Sequence, residues 1–283
     1  MKNMREFSTS ISKRVRVHRW LPIHAKLSNL LLTFLWRIVL RMDHVQNLIE
    51  VGANRGNISK SFCRSNVSRK AWAFEANRDI FRDFTSRNIP NNMQAINLGI
   101  GSSDKNSVPL KIPLQKRSKF SGNGSFLTRL ESDEYETLDV EMVSLDNYFQ
   151  QNFQYEPAAI WIDVEGYSLQ VLKGATQLLN SNRISHIFIE LESWNFWTAG
   201  ANANEIHDLL RGYGFHIVAR DFEHPGQYNC IYRRIELSNS IKLVKSIYTL
   251  LENSIWVISI VGLPIEFLIL FAKKMNSKLI NFS

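Results

Sequence analysis

Apolar positions along the chain follow two rhythms. Short unbroken runs suit strands that are buried on both faces. They fall at Leu48 to Val51, Lys70 to Glu75, Met93 to Leu98, Ala158 to Asp163 and Ile184 to Leu191. Between them, apolar residues recur every three or four positions, the helical spacing. This predicts helices over Asn57 to Arg64, Asn77 to about Asn88, Ser168 to Leu179, and Asn204 to about Gly212. Asn77 stands where a helix N-cap belongs. Val108 to Ile112 and Val140 to Val143 read as further short strands, Gly99 to Asn106 and Ser118 to Thr128 as loops, and Ser144 to Gln151 as a turn or short helix. Phe215 to Ala219 and Tyr228 to Tyr232 lie close together around Pro225-Gly226, which predicts an antiparallel hairpin. Ahead of the first strand, Leu27, Leu31, Phe34, Leu35 and Ile38 mark a helix that Leu30, Leu32, Trp36 and Val39 make apolar on a second side.

Strands alternating with helices predict an α/β fold: a mostly parallel sheet of seven core strands with helices on both faces and a C-terminal antiparallel hairpin. Such sheets bind ligands at the carboxyl ends of their strands. Glu50, Glu75, Asp163 and Glu190 all fall near those ends. An acid inside an apolar strand costs free energy unless it has a partner, and a ligand carrying donors or positive charge supplies one.

The first strand leads into Gly52-Ala53-Asn54-Arg55-Gly56 and then a helix, the layout of a nucleotide-binding βα unit. Gly52 permits a sharp turn, and Gly56 a close approach of helix to strand or of backbone to ligand. Glu75 sits where an acid takes ribose hydroxyls in such folds. The full G-x-G-x-x-G fingerprint is missing, because Asn54 replaces the middle glycine that admits a pyrophosphate. That disfavours NAD. It suits a ligand with an amino-acid tail, a ribose and a cationic sulfonium, such as S-adenosylmethionine.

The segments IEVGANRGN, AWAFEANRD, INLGIGSSD, VSLDNYF and IWIDVEGYSLQVLKGA closely resemble the FkbM family of S-adenosylmethionine-dependent methyltransferases, from about Asn47 to Leu191. The resemblance implies a Rossmann-like class I methyltransferase fold and methyl transfer, usually to a hydroxyl oxygen. It places Glu50, Gly52, Asn54 and Gly56 in the first cofactor loop, Glu75 at the ribose and Asn97 at the end of the third strand. Gly124-Ser125 matches a small-residue and serine stretch of the family. Glu50 stands where Asp is usual, and Leu98-Gly99-Ile100 where Ala-Leu is common.

Methyl transfer from a sulfonium requires alignment of donor and acceptor and removal of the acceptor proton. Asp163 is the expected proton acceptor, with Glu165 as the second candidate or as a partner of the following helix dipole. The bland alternative makes the pair a cap for the helix near Ser168. A divalent metal on Asp163 and Glu190 is a lesser alternative, and none is expected, since no further ligands cluster there. His186 reads as a core histidine, His207 as a surface one, and His216 as having no special role. His224 in the hairpin loop could reach substrate. Trp194, Phe196 and Trp197 could stack on a sugar or pack in the core. The expected reaction is O-methylation of a hydroxyl on a glycan or secondary metabolite. A non-catalytic binding protein on the same fold and an NAD-dependent oxidoreductase are the rivals.

The net charge of +8 changes this picture only at the ends. Basic residues crowd residues 1–44, where the acids are Glu6 and Asp43; the rest of the chain is close to neutral. The expected division is a basic arm and apolar helix over 1–44, a methyltransferase domain over 45–236, and an apolar helical tail over 237–283. Ser254 to Ala272 approaches the length of a membrane span, but Pro264 and Glu266 interrupt it. Arm and tail together predict contact with a membrane surface and no nucleic-acid partner. Cys63 and Cys230 lack metal-ligand spacing and no signal peptide is evident, so a reducing cytoplasmic setting at the inner membrane face is expected.

Overall fold

The computed structural model describes residues 22–114, 124–128, 134–149, 157–192, 197, 200–221, 227–234 and 238–254. Helix α1 (Pro22–Met42) leads into β1 (Asn47–Val51), α2 (Asn57–Arg64), β2 (Lys70–Phe74), α3 (Arg78–Thr85) and β3 (Met93–Ile96). Then follow β4 (Gly99–Ile100), β5 (Lys105–Pro113), β6 (Tyr135–Val143), α4 (Leu145–Phe149), β7 (Ala158–Ile162), α5 (Ser168–Lys173) and α6 (Thr176–Asn180). The chain continues through β8 (Ile184–Glu192), α7 (Ala203–Gly212), β9 (His216–Arg220) and β10 (Gln227–Arg233), and the last described element is α8 over residues 239–254.

Seven strands form one sheet in the order β3-β2-β1-β7-β8-β10-β9. The pairs among β3, β2, β1, β7 and β8 are parallel, and β10 runs antiparallel to both neighbours. This is the expected mostly parallel, Rossmann-like sheet closed by a hairpin. The strand order reverses between β1 and β7, which opens a crevice at their carboxyl ends.

Strand side chains alternate between faces, so each central strand feeds two cores. Ile49, Val51, Ile160 and Ile162 join α4, α5, α6 and α7 on one face. Leu48, Ala159, Trp161 and Phe188 join α1, α2, α3 and α8 on the other. There Trp161 stacks on Phe188 with centroids 3.6 Å apart, and Trp36 of α1 meets both rings edge-on.

Four local expectations change. Helix α1 buries Leu32, Leu35, Trp36, Val39 and Leu40, while Leu27 and Phe34 of the expected packing stripe stay exposed. Both sides of this helix are apolar, so periodicity alone could not choose between them. The stretch 168–179 is two helices, because Gly174 lies where a Cβ would be 1.9 Å from the Gly101 carbonyl oxygen and the chain breaks at that contact. Residues 99–106, read as loop, contribute β4 and the start of β5 to a second sheet, β4-β6-β5, that the short polar strands did not announce. The third helix ends at Thr85, three residues before Asn88.

At the amino-terminal edge of the large sheet, Asp43 ties three elements together. Its carboxylate accepts two bonds from Arg233, at 2.6 and 2.7 Å, and pairs with His186 Nε2 at 2.7 Å. His186 Nδ1 meets Ser185 Oγ at 2.8 Å. The serine, histidine and aspartate have nucleophile-like connectivity, but they lie buried at the edge away from the crevice. His186 is the core histidine expected. Cys63 and Cys230 are free, buried thiols.

Candidate active site

The crevice is built first by the turn after β1. Gly52 has φ +81°, and a Cβ there would fall 1.9 Å from the Asp163 carbonyl oxygen. The turn therefore passes directly against the end of β7, and only glycine fits it. Asn54 also has positive φ, at 50°, which asparagine tolerates better than most residues. Gly56 serves helix packing: a Cβ would meet the Phe84 ring at 2.4 Å.

Glu75 clamps this turn from β2. One oxygen accepts the Asn54 N–H at 2.7 Å and the other the Asn77 N–H at 2.8 Å. Burial raises its pKa to about 7 against the pull of those two donors. Glu50 is also enclosed; it accepts the Ser59 N–H at 3.0 Å, and burial lifts its pKa to about 7. Asp163 adds repulsion to both. The β7–β8 register pairs Ile162 with Ile189, so Asp163 stands level with Glu190. The two carboxyl groups interact there, Glu190 drawing the Asp163 pKa down. Asp163 opens onto the crevice; desolvation raises its pKa, the Glu190 bond opposes part of the rise, and water at the mouth limits it. Glu190 is held in turn by Gln227 Nε2 at 2.7 Å. All four acids thus lie toward the carboxyl ends of their strands, with Glu75 and Asp163 lining the cleft.

The cleft between these walls opens to solvent. Gly52, Asn54, Glu75, Asp163 and Glu165 line it. Its roof is the segment 124–128. Ser125 pairs with Lys111 of β5, and its hydroxyl donates to the Glu165 carbonyl at 2.7 Å. Phe126 covers Gly99. Glu50, Arg55 and Asp163 border an adjoining opening on the other side of the turn. Glu165, at φ 43°, shapes the bend after β7. The N-cap of α5 is Tyr167 and no side chain caps that helix, so Asp163 and Glu165 are not its cap.

Asn97 is exposed and does not line the cleft; it donates to the Glu75 and Ala76 carbonyls at 2.7 and 3.1 Å and so steadies the loop carrying Glu75. Asn77 is a residue the sequence reading took only as a cap. It does cap α3 through Oδ1, but it also lines the cleft, and its buried Nδ2 has no partner among the described residues. Its position two residues after Glu75 was the available signal. Trp197 packs on Gly166 and donates to Glu192 at 2.7 Å, the core alternative of its reading; Trp194, Phe196 and His224 lie outside the described residues. His207 is not a surface histidine, since its ring sits between the Tyr228 and Tyr232 hydroxyls. Among the described residues, no group of three metal-ligating side chains occurs.

Residues 50–217 match the methyltransferase FkbM domain. The chain belongs to the FkbM methyltransferase family. It is 27% identical over 167 residues to the hexuronic acid methyltransferase AglP of Haloferax volcanii, an alignment covering 58% of this chain and 60% of that protein. Its shape resembles magnesium protoporphyrin IX methyltransferase from Synechocystis, solved with S-adenosylmethionine (TM-score 0.42, 8% identity, 76% of this chain and 82% of that one). It also resembles the methyltransferase domain of bacterial CtHen1 (TM-score 0.41, 10% identity, 73% and 99%). At these scores the shapes add nothing to the family match.

The FkbM domain's methyl donor is S-adenosylmethionine, and the residues present fit it. The cradle at Gly52 admits no Cβ, Asn77 Nδ2 offers an unused buried donor, and the carboxyl-rich rim suits a ligand bearing hydroxyls, an ammonium and a sulfonium. An NAD-dependent oxidoreductase is excluded by the family.

Proposed function

We propose that this methyltransferase methylates a hydroxyl oxygen, on a sugar or a related polyhydroxylated acceptor. The observation that carries this reading is the carboxyl of Asp163, which lines the cofactor cleft level with Glu190 of the next strand. When bound, S-adenosylmethionine supplies an electrophilic methyl group on a cationic sulfur. An alcohol is a poor nucleophile until its proton leaves, so a base within reach of the acceptor is the main chemical task left to the protein.

Asp163 performs it in this reading. Its carboxylate accepts the hydroxyl proton as the new C–O bond forms. Glu190, anchored by Gln227, keeps Asp163 oriented. Glu75 takes ribose hydroxyls, while Gly52 and Asn54 offer backbone to the amino-acid tail. Glu165 narrows the acceptor side through the bend it occupies. A sugar acceptor is supported by the likeness to AglP, whose name gives a hexuronic acid as its substrate.

Labelled donor incubated with polyhydroxylated acceptors tests this, with product linkage read by mass spectrometry and mild alkaline hydrolysis. An alkali-stable methyl ether is expected. An alkali-labile methyl ester, formed on a carboxylate, would refute methylation at a hydroxyl.

A further inference from the structure

Helices α1 and α8 cover the same face of the large sheet and share one core. The buried Ser28 hydroxyl donates to Glu252 at 2.8 Å, joining the start of α1 to the end of α8. Their outer sides are apolar. On α1 the exposed stripe reads Leu27, Leu30, Phe34, Arg37, Arg41, a three-four spacing along one side of a helix. Leu30 and Phe34 are 67% and 61% exposed. On α8, Leu243, Ile247, Leu250 and Leu251 are exposed.

The charges on these helices have one sign where they meet solvent. Helix α1 contains no acid, and the acid of α8, Glu252, is buried. Beside α1 runs a groove toward α2 of about 910 Å³, partly open, lined by Phe34, Ile38, Arg41, Ile58, Phe62 and Arg69 among others, and by no acid. Arg69 is only 9% exposed. It stacks on Phe62 and donates to Ser65, but its Nε has no partner, and no carboxylate pairs with it among the described residues. An apolar groove with an unneutralised buried guanidinium suits a phosphate attached to a hydrocarbon chain. In the sequence, Lys13, Arg14, Arg16 and Arg19 precede α1, and the apolar stretch Ile255 to Ala272 follows α8.

We infer that the α1–α8 face docks on an anionic phospholipid bilayer, with a lipid phosphate held between Arg41 and Arg69. No helix among the described residues is long and apolar enough to cross a membrane, so this is attachment to a surface. It is independent of the acceptor assigned above. Apolar side chains enter the interface while Arg37, Arg41, Lys242 and Lys245 meet headgroups.

Vesicle co-sedimentation of the full chain tests this, with phosphatidylcholine vesicles against vesicles that also hold phosphatidylglycerol. Binding to the anionic vesicles alone is expected, falling about tenfold or more in Leu30→Glu/Phe34→Glu and in Arg41→Glu. Calorimetry with S-adenosylmethionine verifies that these exposed-site variants stay folded. Undiminished vesicle binding by the variants would overturn the inference, since the terminal segments alone would then account for attachment. So would absence of binding by the parent, or a dimer that Leu30→Glu/Phe34→Glu dissociates with no effect on vesicles.

Discussion

Asp163, the residue after β7, stands level with Glu190 of the adjacent parallel strand β8, and the two carboxyl groups interact. The pairing follows from register: β7 and β8 are locked by Ile162 opposite Ile189, in a core buried on both sides. Neither carboxyl can retreat without moving a central strand. A rigid, partly desolvated carboxyl whose pKa is raised by burial is suited to accepting a proton.

Replacing Asp163 separates its chemistry from binding. Asp163→Asn keeps the shape and removes the base, so turnover should fall about 10²- to 10⁴-fold with a much smaller change in donor affinity. Glu190→Ala should act differently. It removes the neighbour that opposes the rise in the Asp163 pKa, so the acidic limb of the kcat profile should move to higher pH. Rate–pH profiles of the three proteins check both expectations; an unshifted limb in Glu190→Ala would assign Glu190 a packing role only.

Glu75 is expected to govern donor affinity more than rate. It accepts two backbone N–H groups across the first turn, so Glu75→Ala both loses the ribose contact and frees the loop. Charge-assisted hydrogen bonds contribute about 1.5–3 kcal/mol each, so calorimetry should show S-adenosylmethionine binding roughly 10- to 100-fold weaker. Binding equal to the parent's would displace the ribose from Glu75.

Glu50 and Glu75 also give the ligand-free protein an unusual pH dependence. Both have folded pKa values raised by burial from 4.5 to about 7. Between those values the native state holds more protons than the unfolded chain, so stability falls as pH rises through this window. A bound cation with hydroxyl donors stabilises the ionised forms and reverses the loss. The gap in Tm between donor-bound and free protein should therefore widen from pH 5 to pH 8. Differential scanning fluorimetry across that range measures it, and a constant gap would show that these carboxyls do not face the donor.

The rim was legible in the sequence because its signals are local. Glu50, Glu75 and Asp163 each sit at the end of an apolar run, and the alternation of strands and helices fixes which ends converge. Gly52 was legible because a turn after β1 demands it. Asn77 escaped notice because its capping role explains its Oδ1 fully, and only the packed structure shows that Nδ2 is left over. Val108 to Ile112 and Val140 to Val143 were legible as strands and lie in β5 and β6, but their full length and the sheet they form with β4 escaped, because much of that length is exposed and polar. His207 was misread because the two tyrosines that hold it come from β10, distant in sequence and adjacent only after the hairpin forms.

The amino-terminal edge offers a test of stability apart from function. Asp43 is bonded by His186 and Arg233, and Arg233 is only 4% exposed. Burial acts to raise the Asp43 pKa, but the bonds from His186 and Arg233 outweigh it and hold it at about 2, below the ordinary 3.8. Asp43→Ala strands the Arg233 cation and unties α1 from β8 and β10, which should cost about 3–5 kcal/mol near pH 7. The lowered pKa sets the sign of its pH dependence. This contribution is present above pH 3.8 and is lost as pH falls toward 2. Urea unfolding of parent and variant should therefore show a stability difference that is large at pH 7 and shrinks below pH 4. Donor affinity at pH 7 should be unchanged, because Asp43 lies at the opposite edge of the sheet from Glu75. A difference that stays constant with pH would mean that Asp43 acts through packing and not through its charge.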